Sequence, residues 1–232
     1  MTEPAAIHLR PTAPLAERAL LPGDPGRALS LSQSLLQEPR MFNHHRGLWG
    51  YTGVAPDGEP LTIQSTGMGG PSAAIVLAEL IELGVGRAIR VGTCGALAPG
   101  LALGELLIAR ESISADGTSR ALGAGERVSA DPMLTQALIA RAPAAHVGTI
   151  VSVDLFYDTG AGGGREQPGA LAVEMEAAAL LALGARERVA VGCALVVSDT
   201  FDAAGARTRI DDHALLAAGE RMGAIAIAAL SV

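Results

Sequence analysis

The sequence predicts an α/β fold, a three-layer α/β/α sandwich built on a central mixed, largely parallel sheet. Short apolar runs of strand character alternate with longer segments of helical periodicity, the pattern of strands joined by covering helices. The run VAVGCALVVSD at 189–199 is apolar almost without interruption, as expected of a strand buried on both faces. A chain of 232 residues, 49% of them hydrophobic, is large enough for one domain, residues 1–232, with an ample core.

Taken in order, LLPGDPGRA at 20–28 is a glycine-rich turn of the kind that commonly precedes a helix. LTIQSTG at 61–67 is strand-like, and PSAAIVLAELIELG at 71–84 is a helix stopped by Gly84. Residues 88–94 form a buried strand and LGELLIAR at 103–110 another. DPMLTQALIARA at 131–142 is a helix begun by Asp131, with Pro132 in its first turn. HVGTIVSV at 146–153 is again a strand, and the glycine-rich TGAGGGREQPG at 159–169 is a mobile surface loop. LAVEMEAAALLAL at 171–183 starts extended and becomes helical, the strand at 189–199 follows, and an amphipathic helix fills 211–230. No internal repeat is present.

Composition removes several classes of function. A formal net charge of -7 argues against a surface that coats nucleic acid, while leaving room for a small basic pocket. Cys94 and Cys193 have no paired spacing, so neither a disulfide framework nor a zinc cluster is expected, and reduced cytoplasmic thiols are the simpler reading. The first residues lack the apolar core of a signal peptide and no run is expected to reach the length of a membrane span, so no membrane partner is expected.

The most informative stretch is AIRVGTCGAL at 88–97. An arginine keeps its charge, so Arg90 between Ile89 and Val91 demands a counter-charge: either a carboxylate elsewhere in the fold or a bound anion. Gly92 and Gly95 open the backbone and Thr93 adds a hydroxyl, features suited to a nest for phosphate or carboxylate. Gly23, Gly26 and Arg27 offer a second anion turn, and STGMGGPSA at 65–73, which includes Met68, joins a strand to a helix N-terminus. Glu174 and Glu176 project to the same side if VEMEA stays extended. A carboxylate there suits two adjacent hydroxyls, although for Glu174 the preferred reading is charge at a helix N-terminus. Ser198 and Asp199 close a buried strand, either as a proton donor or as a helix cap.

In combination, GDPGRA at 23–28, NHHRG at 43–47, STGMGGPS at 65–72, RVGTCGAL at 90–97, DLFY at 154–157, VEMEAAAL at 173–180 and VSDT at 197–200 resemble the nucleoside phosphorylases. The likeness spans nearly the whole chain and is greatest to the hexameric bacterial purine enzymes. It implies reversible phosphorolysis of purine ribo- or deoxyribonucleosides to free base and pentose 1-phosphate, with inorganic phosphate as co-substrate and no cofactor. It further implies phosphate held by Gly23, Arg27, Arg90 and Thr93, with Arg46 reaching in from a neighbouring subunit. Glu176 would bind the ribose 2- and 3-hydroxyls, Met175 would pack on the sugar, and His8 of a neighbour would meet the 5-hydroxyl. Phe156 and Val173 would flank the base, and Met68, Glu174 and Ser198 complete the implied nucleoside-binding set. Asp199 would protonate the leaving purine, assisted by Arg209 or Arg207. The resemblance also implies a homohexamer, a trimer of dimers.

The base is the open point. Uridine phosphorylases share the phosphate and ribose motifs; Arg165, Gln167 and ADGTSR at 115–120 are similar to features of pyrimidine enzymes, whereas the Ser-Asp pair favours purine. A nucleosidase using water would not need Arg27, Arg46 and Arg90 together, and a non-catalytic nucleoside-binding module would not need Asp199.

Overall fold

The computed structural model describes residues 6–157, 167–202 and 205–231. Arg165 and residues 159–166 of the glycine-rich loop therefore lie outside the described residues. The order is β1 (Arg18–Leu21), α1 (Pro25–Leu35), β2 (Gln37–Asn43), a 3-10 turn (His45–Gly47), β3 (Gly50–Val54), β4 (Pro60–Gln64) and α2 (Gly70–Leu83). It continues with β5 (Arg87–Ala96), β6 (Leu106–Ala115), α3 (Gly117–Ala121), β7 (Arg127–Ser129), α4 (Pro132–Arg141) and β8 (His146–Val153). Finally come β9 (Ala172–Glu174), α5 (Ala177–Glu187), β10 (Ala190–Phe201), β11 (Arg207–Arg209) and α6 (Asp212–Leu230).

Among the described residues all the strands join one mixed sheet. Parallel pairing runs through its middle, linking β1 to β4 and β5, β5 to β10, and β8 to β6 and β9. Antiparallel pairs lie at the periphery and at the crossings β6–β10 and β5–β9. Because β5, β10, β6, β8 and β9 pair in a cycle, this half of the sheet closes on itself, while β1, β4, β3 and β2 extend from it as an open wing.

Strand alternation sorts the core into two layers. Leu20, Ile89 and Val91 pack with Leu31 of α1, Leu134 and Leu138 of α4, and Met222 and Ala226 of α6. Ala19, Leu21 and Ala88 face the other way, onto Val76, Leu77 and Leu80 of α2 and Leu180, Leu181 and Leu183 of α5. Arg90 shares the pleat direction of Ala88, so it points toward the α2 and α5 layer.

The helix caps follow local rules. Asp24, Asp131 and Asp211 each accept backbone N–H bonds at the starts of α1, α4 and α6, and Gly84 closes α2 in the left-handed region at φ 118°. One expectation is corrected: α6 is long and apolar enough to cross a membrane by length and composition. Its buried residues, including Ala218, Met222, Ala226 and Leu230, pack in the core beside α1 and α4.

Candidate active site

The parallel strands β1, β4, β5 and β10 end at one edge of the sheet, and the loops that leave them carry the candidate residues, as expected for ligand sites in α/β sheets. Register brings Leu21 and Cys193 alongside Arg90, Val196 alongside Thr93, and Asp199 alongside Gly95. A bulge between Val197 and Asp199 re-aims the end of β10.

Arg90 is 3% exposed and lies between two carboxylates. Its Nε is 2.9 Å from Glu174 Oε2, and its Nη2 donates to Glu176 Oε2. The counter-charge comes from carboxylates of the fold, yet among the described residues the buried Arg90 Nη1 has no hydrogen-bond partner. Burial opposes the charge, but Glu176 and Glu174 outweigh it and hold the guanidinium protonated. Gly23 sits over this unsatisfied nitrogen. A Cβ there would stand 3.3 Å from the Gly67 carbonyl oxygen and 3.9 Å from Arg90 Nη1, so glycine leaves the approach open.

Arg27 follows directly, placed on the first turn of α1 because Asp24 caps that helix by accepting from Gly26 and Arg27 N–H. Its pKa is lowered, first by burial and further by Arg90 and Arg209, with Asp24 and Glu176 opposing. Cations crowded in this way favour an anion among them.

Glu176, 6% exposed, precedes α5; its Oε1 accepts the Gly69 N–H at 2.6 Å and its Oε2 meets Arg90. Glu174 differs. It is 4% exposed and accepts from the Ser152 hydroxyl, from Glu176 N–H at 2.9 Å and from Ala177 N–H at 3.0 and 2.9 Å. Its oxygens start α5 and hold Arg90, which is the helix-terminus reading of this residue. Burial pushes its pKa up, against the pull of Arg90. Met175 is half-buried between the two glutamates, while Met68 is 88% exposed on the loop after β4.

Asp199 is 5% exposed, and it accepts from Ser198 Oγ at 2.6 Å and from Arg209 Nη1 at 3.1 Å to each oxygen. Arg207 Nε lies 2.9 Å from the same carboxylate. The choice between the two arginines thus dissolves, because β11 pairs with β10 and presents both to Asp199. Ser198, also hydrogen-bonded to the Cys94 carbonyl at 3.2 Å, is directed at Asp199 and the sheet.

Phe156 lies under the Arg207 guanidinium, 4.6 Å from ring centroid to cation, and contacts Tyr157 edge-on at 4.9 Å. Val173 lies across β9 from Gly95, where Phe201 also converges: a Cβ at Gly95 would come within 3.1 Å of Phe201 and 3.4 Å of Val173. Sequence reasoning missed Phe201, although an aromatic just after the Ser-Asp pair was a usable signal. ADGTSR has a structural use here, since Asp116 caps α3 by accepting from Ser119.

His8 and Arg46 are brought near each other rather than to Arg90. The His45 ring meets the His8 carbonyl at 3.1 Å, and Arg46 is exposed on the adjoining 3-10 turn at φ 59°. Among the described residues neither forms a hydrogen bond or ion pair with Arg90, Glu176 or Asp199.

One sheet edge thus gathers Arg90 with Glu174 and Glu176, Arg27 close by, and Asp199 under Arg207 and Arg209. The chain belongs to the Phosphorylase superfamily, whose sequence profile matches residues 17–231. Within it the chain falls in the nucleoside phosphorylase family. It is 36% identical to a DeoD-type purine nucleoside phosphorylase of Geobacillus kaustophilus over 84% of this chain and 86% of that protein. It is 37% identical to another of that type from Alkaliphilus metalliredigens over 84% and 87% of the two chains. A uridine phosphorylase of Thermococcus kodakarensis is 40% identical over 62% of this chain and 53% of its own length.

Proposed function

We propose that residues 1–232 form a single catalytic domain that carries out phosphorolysis of purine nucleosides, acting in the cytoplasm in nucleoside salvage as a homohexamer with shared sites. The observation that carries phosphorolysis is the buried, unpartnered Arg90 Nη1 beside open Gly23, in the field of Arg27. A small dianion would satisfy that nitrogen and, fixed beneath the sugar, would attack as a positioned nucleophile. Thr93 would add its hydroxyl, and Arg46 of a neighbour a further cation.

Glu176 then accepts from the ribose 2- and 3-hydroxyls, and Met175 packs on the sugar. As the glycosidic bond breaks, positive charge grows on the ring and negative charge on the base. Asp199 protonates the purine, oriented by Ser198 and balanced by Arg207 and Arg209. Phe156 and Val173 flank the base, with Phe201 beside them.

The 40% identity to a uridine phosphorylase supports a second reading with uridine as substrate. Incubation with inosine and with uridine, each with and without phosphate, separates them. The purine reading expects phosphate-dependent hypoxanthine release well above uracil release. Base release independent of phosphate would point to a hydrolase, and release of neither base to a binding protein.

A further inference from the structure

Glu79 sits on the inner face of α2 among Ala73, Val76, Leu77 and Leu80, where a charge is costly unless it is fully hydrogen-bonded. Its carboxylate accepts Ile7 N–H at 3.0 Å, His8 N–H at 3.0 Å and Leu9 N–H at 2.7 Å, and it meets His8 Nδ1 at 2.6 Å. Although burial raises its pKa, these donors outweigh burial and the net shift is downward. An ionised carboxylate only accepts, so Nδ1 must carry the proton, and in the uncharged ring Nε2 is left as an acceptor. The same segment is tied to the turn bearing Arg46, through His45 Nδ1 to the His8 carbonyl at 3.1 Å and Arg10 N–H to Asn43 Oδ1 at 2.9 Å.

We propose that Glu79 is a positioning residue for His8. It docks residues 7–9 on α2 and fixes the ring so that Nε2 accepts a hydrogen bond from a nucleoside 5-hydroxyl in the neighbouring subunit's site. The assignment rests on the nucleoside-binding role proposed for His8. One carboxylate thus sets the tautomer and the direction of a group that serves another chain. The neighbouring turn that bears Arg46 is held to the same anchored segment.

The test pairs nitrogen NMR of the labelled imidazole with kinetics on inosine and 5′-deoxyinosine at saturating phosphate. Wild-type His8 is expected as the Nδ1–H tautomer. Glu79→Gln and His8→Ala should each raise KM for inosine about five- to tenfold, the loss of one oriented hydrogen bond, with KM for the 5′-deoxy substrate changed by less than about twofold. Glu79→Gln in the His8→Ala background should add nothing to that discrimination. An Nε2–H tautomer in the wild type, or equal KM losses on both substrates, would overturn the proposal. If Glu79→Gln does not fold, the wild-type tautomer and the His8→Ala selectivity still decide it. Absence of phosphorolysis in the wild type would instead sink the enzymatic reading, and the tautomer would judge the Glu79 contact by itself.

Discussion

A guanidinium held between Glu174 and Glu176 cannot be deleted without leaving two buried carboxylates uncompensated. Arg90→Ala should therefore cost about 3–5 kcal/mol of stability, read by chemical denaturation, in addition to a sharp rise in KM for phosphate. A variant with unchanged stability would show that the ion pairs contribute little. At Asp199 the question is chemical: Asp199→Asn keeps the shape and the Ser198 contact but lacks the proton, so purine turnover should fall about 10²-fold or more. A small loss in a base-release assay would take Asp199 out of the acid role. Residue types at these positions were legible from sequence, since a buried arginine and a Ser-Asp strand end are local facts. Their partners were not. The joint grip of Arg207 and Arg209 on Asp199 exists only across the β10–β11 pair, and the contact of Arg90 with Glu174 spans β5 and β9.

Among the elements, strands and helices with strong periodicity were read nearly to the residue: 146–153 matches β8, and 71–84 lies within one residue of α2 at each end. Apart from β4, read at 61–67, the wing was overlooked because its signals are weak. β1 is only RALL, and β2 (QEPRMFN) is exposed along most of its length, giving neither a continuous apolar run nor alternation. Long-range anchors support this wing instead. Arg18 of β1 binds Asp57 with both terminal nitrogens at 2.6 Å and also donates to the Pro60 carbonyl at 2.9 Å, while Ser231 beyond α6 donates to Asp57. Hydrogen bonds from Arg18 lead the effects that hold the Asp57 carboxyl well below the usual carboxylate range. With the folded value depressed, the contribution is fully present above the unfolded value, about 3.9, and is lost as pH falls from there through the folded value. Denaturation midpoints should drop over that acid window in the wild type. Asp57→Asn should lower the midpoint at neutral pH and flatten the acid dependence; parallel curves would show that Asp57 is not the group responsible.

For the whole molecule, the decisive feature is that His8 and Arg46 form one patch held by Glu79 and His45, with no bond among the described residues to Arg90, Glu176 or Asp199 of the same chain. If that patch completes a neighbour's site, two dead variants should complement each other. Arg46→Ala and Asp199→Asn chains, inactive separately and co-refolded in equal amounts, should recover about a quarter of wild-type activity, because half the mixed pairs' sites combine intact halves. No recovery in mixed assemblies would refute a shared site.

By itself the sequence determined the fold class, the major helices and the buried strands, and it marked the residue types of the candidate site, because periodicity, caps and glycine turns are written over a few neighbouring residues. Only the tertiary structure decided which charges face one another. Strand register sets Cys193 beside Arg90 and Arg209 beside Asp199, and the β9–α5 junction brings Glu174 and Glu176 to the same guanidinium. Such pairings join segments far apart in the chain, and the energy that selects them comes from burial and charge compensation that no local stretch of residues contains.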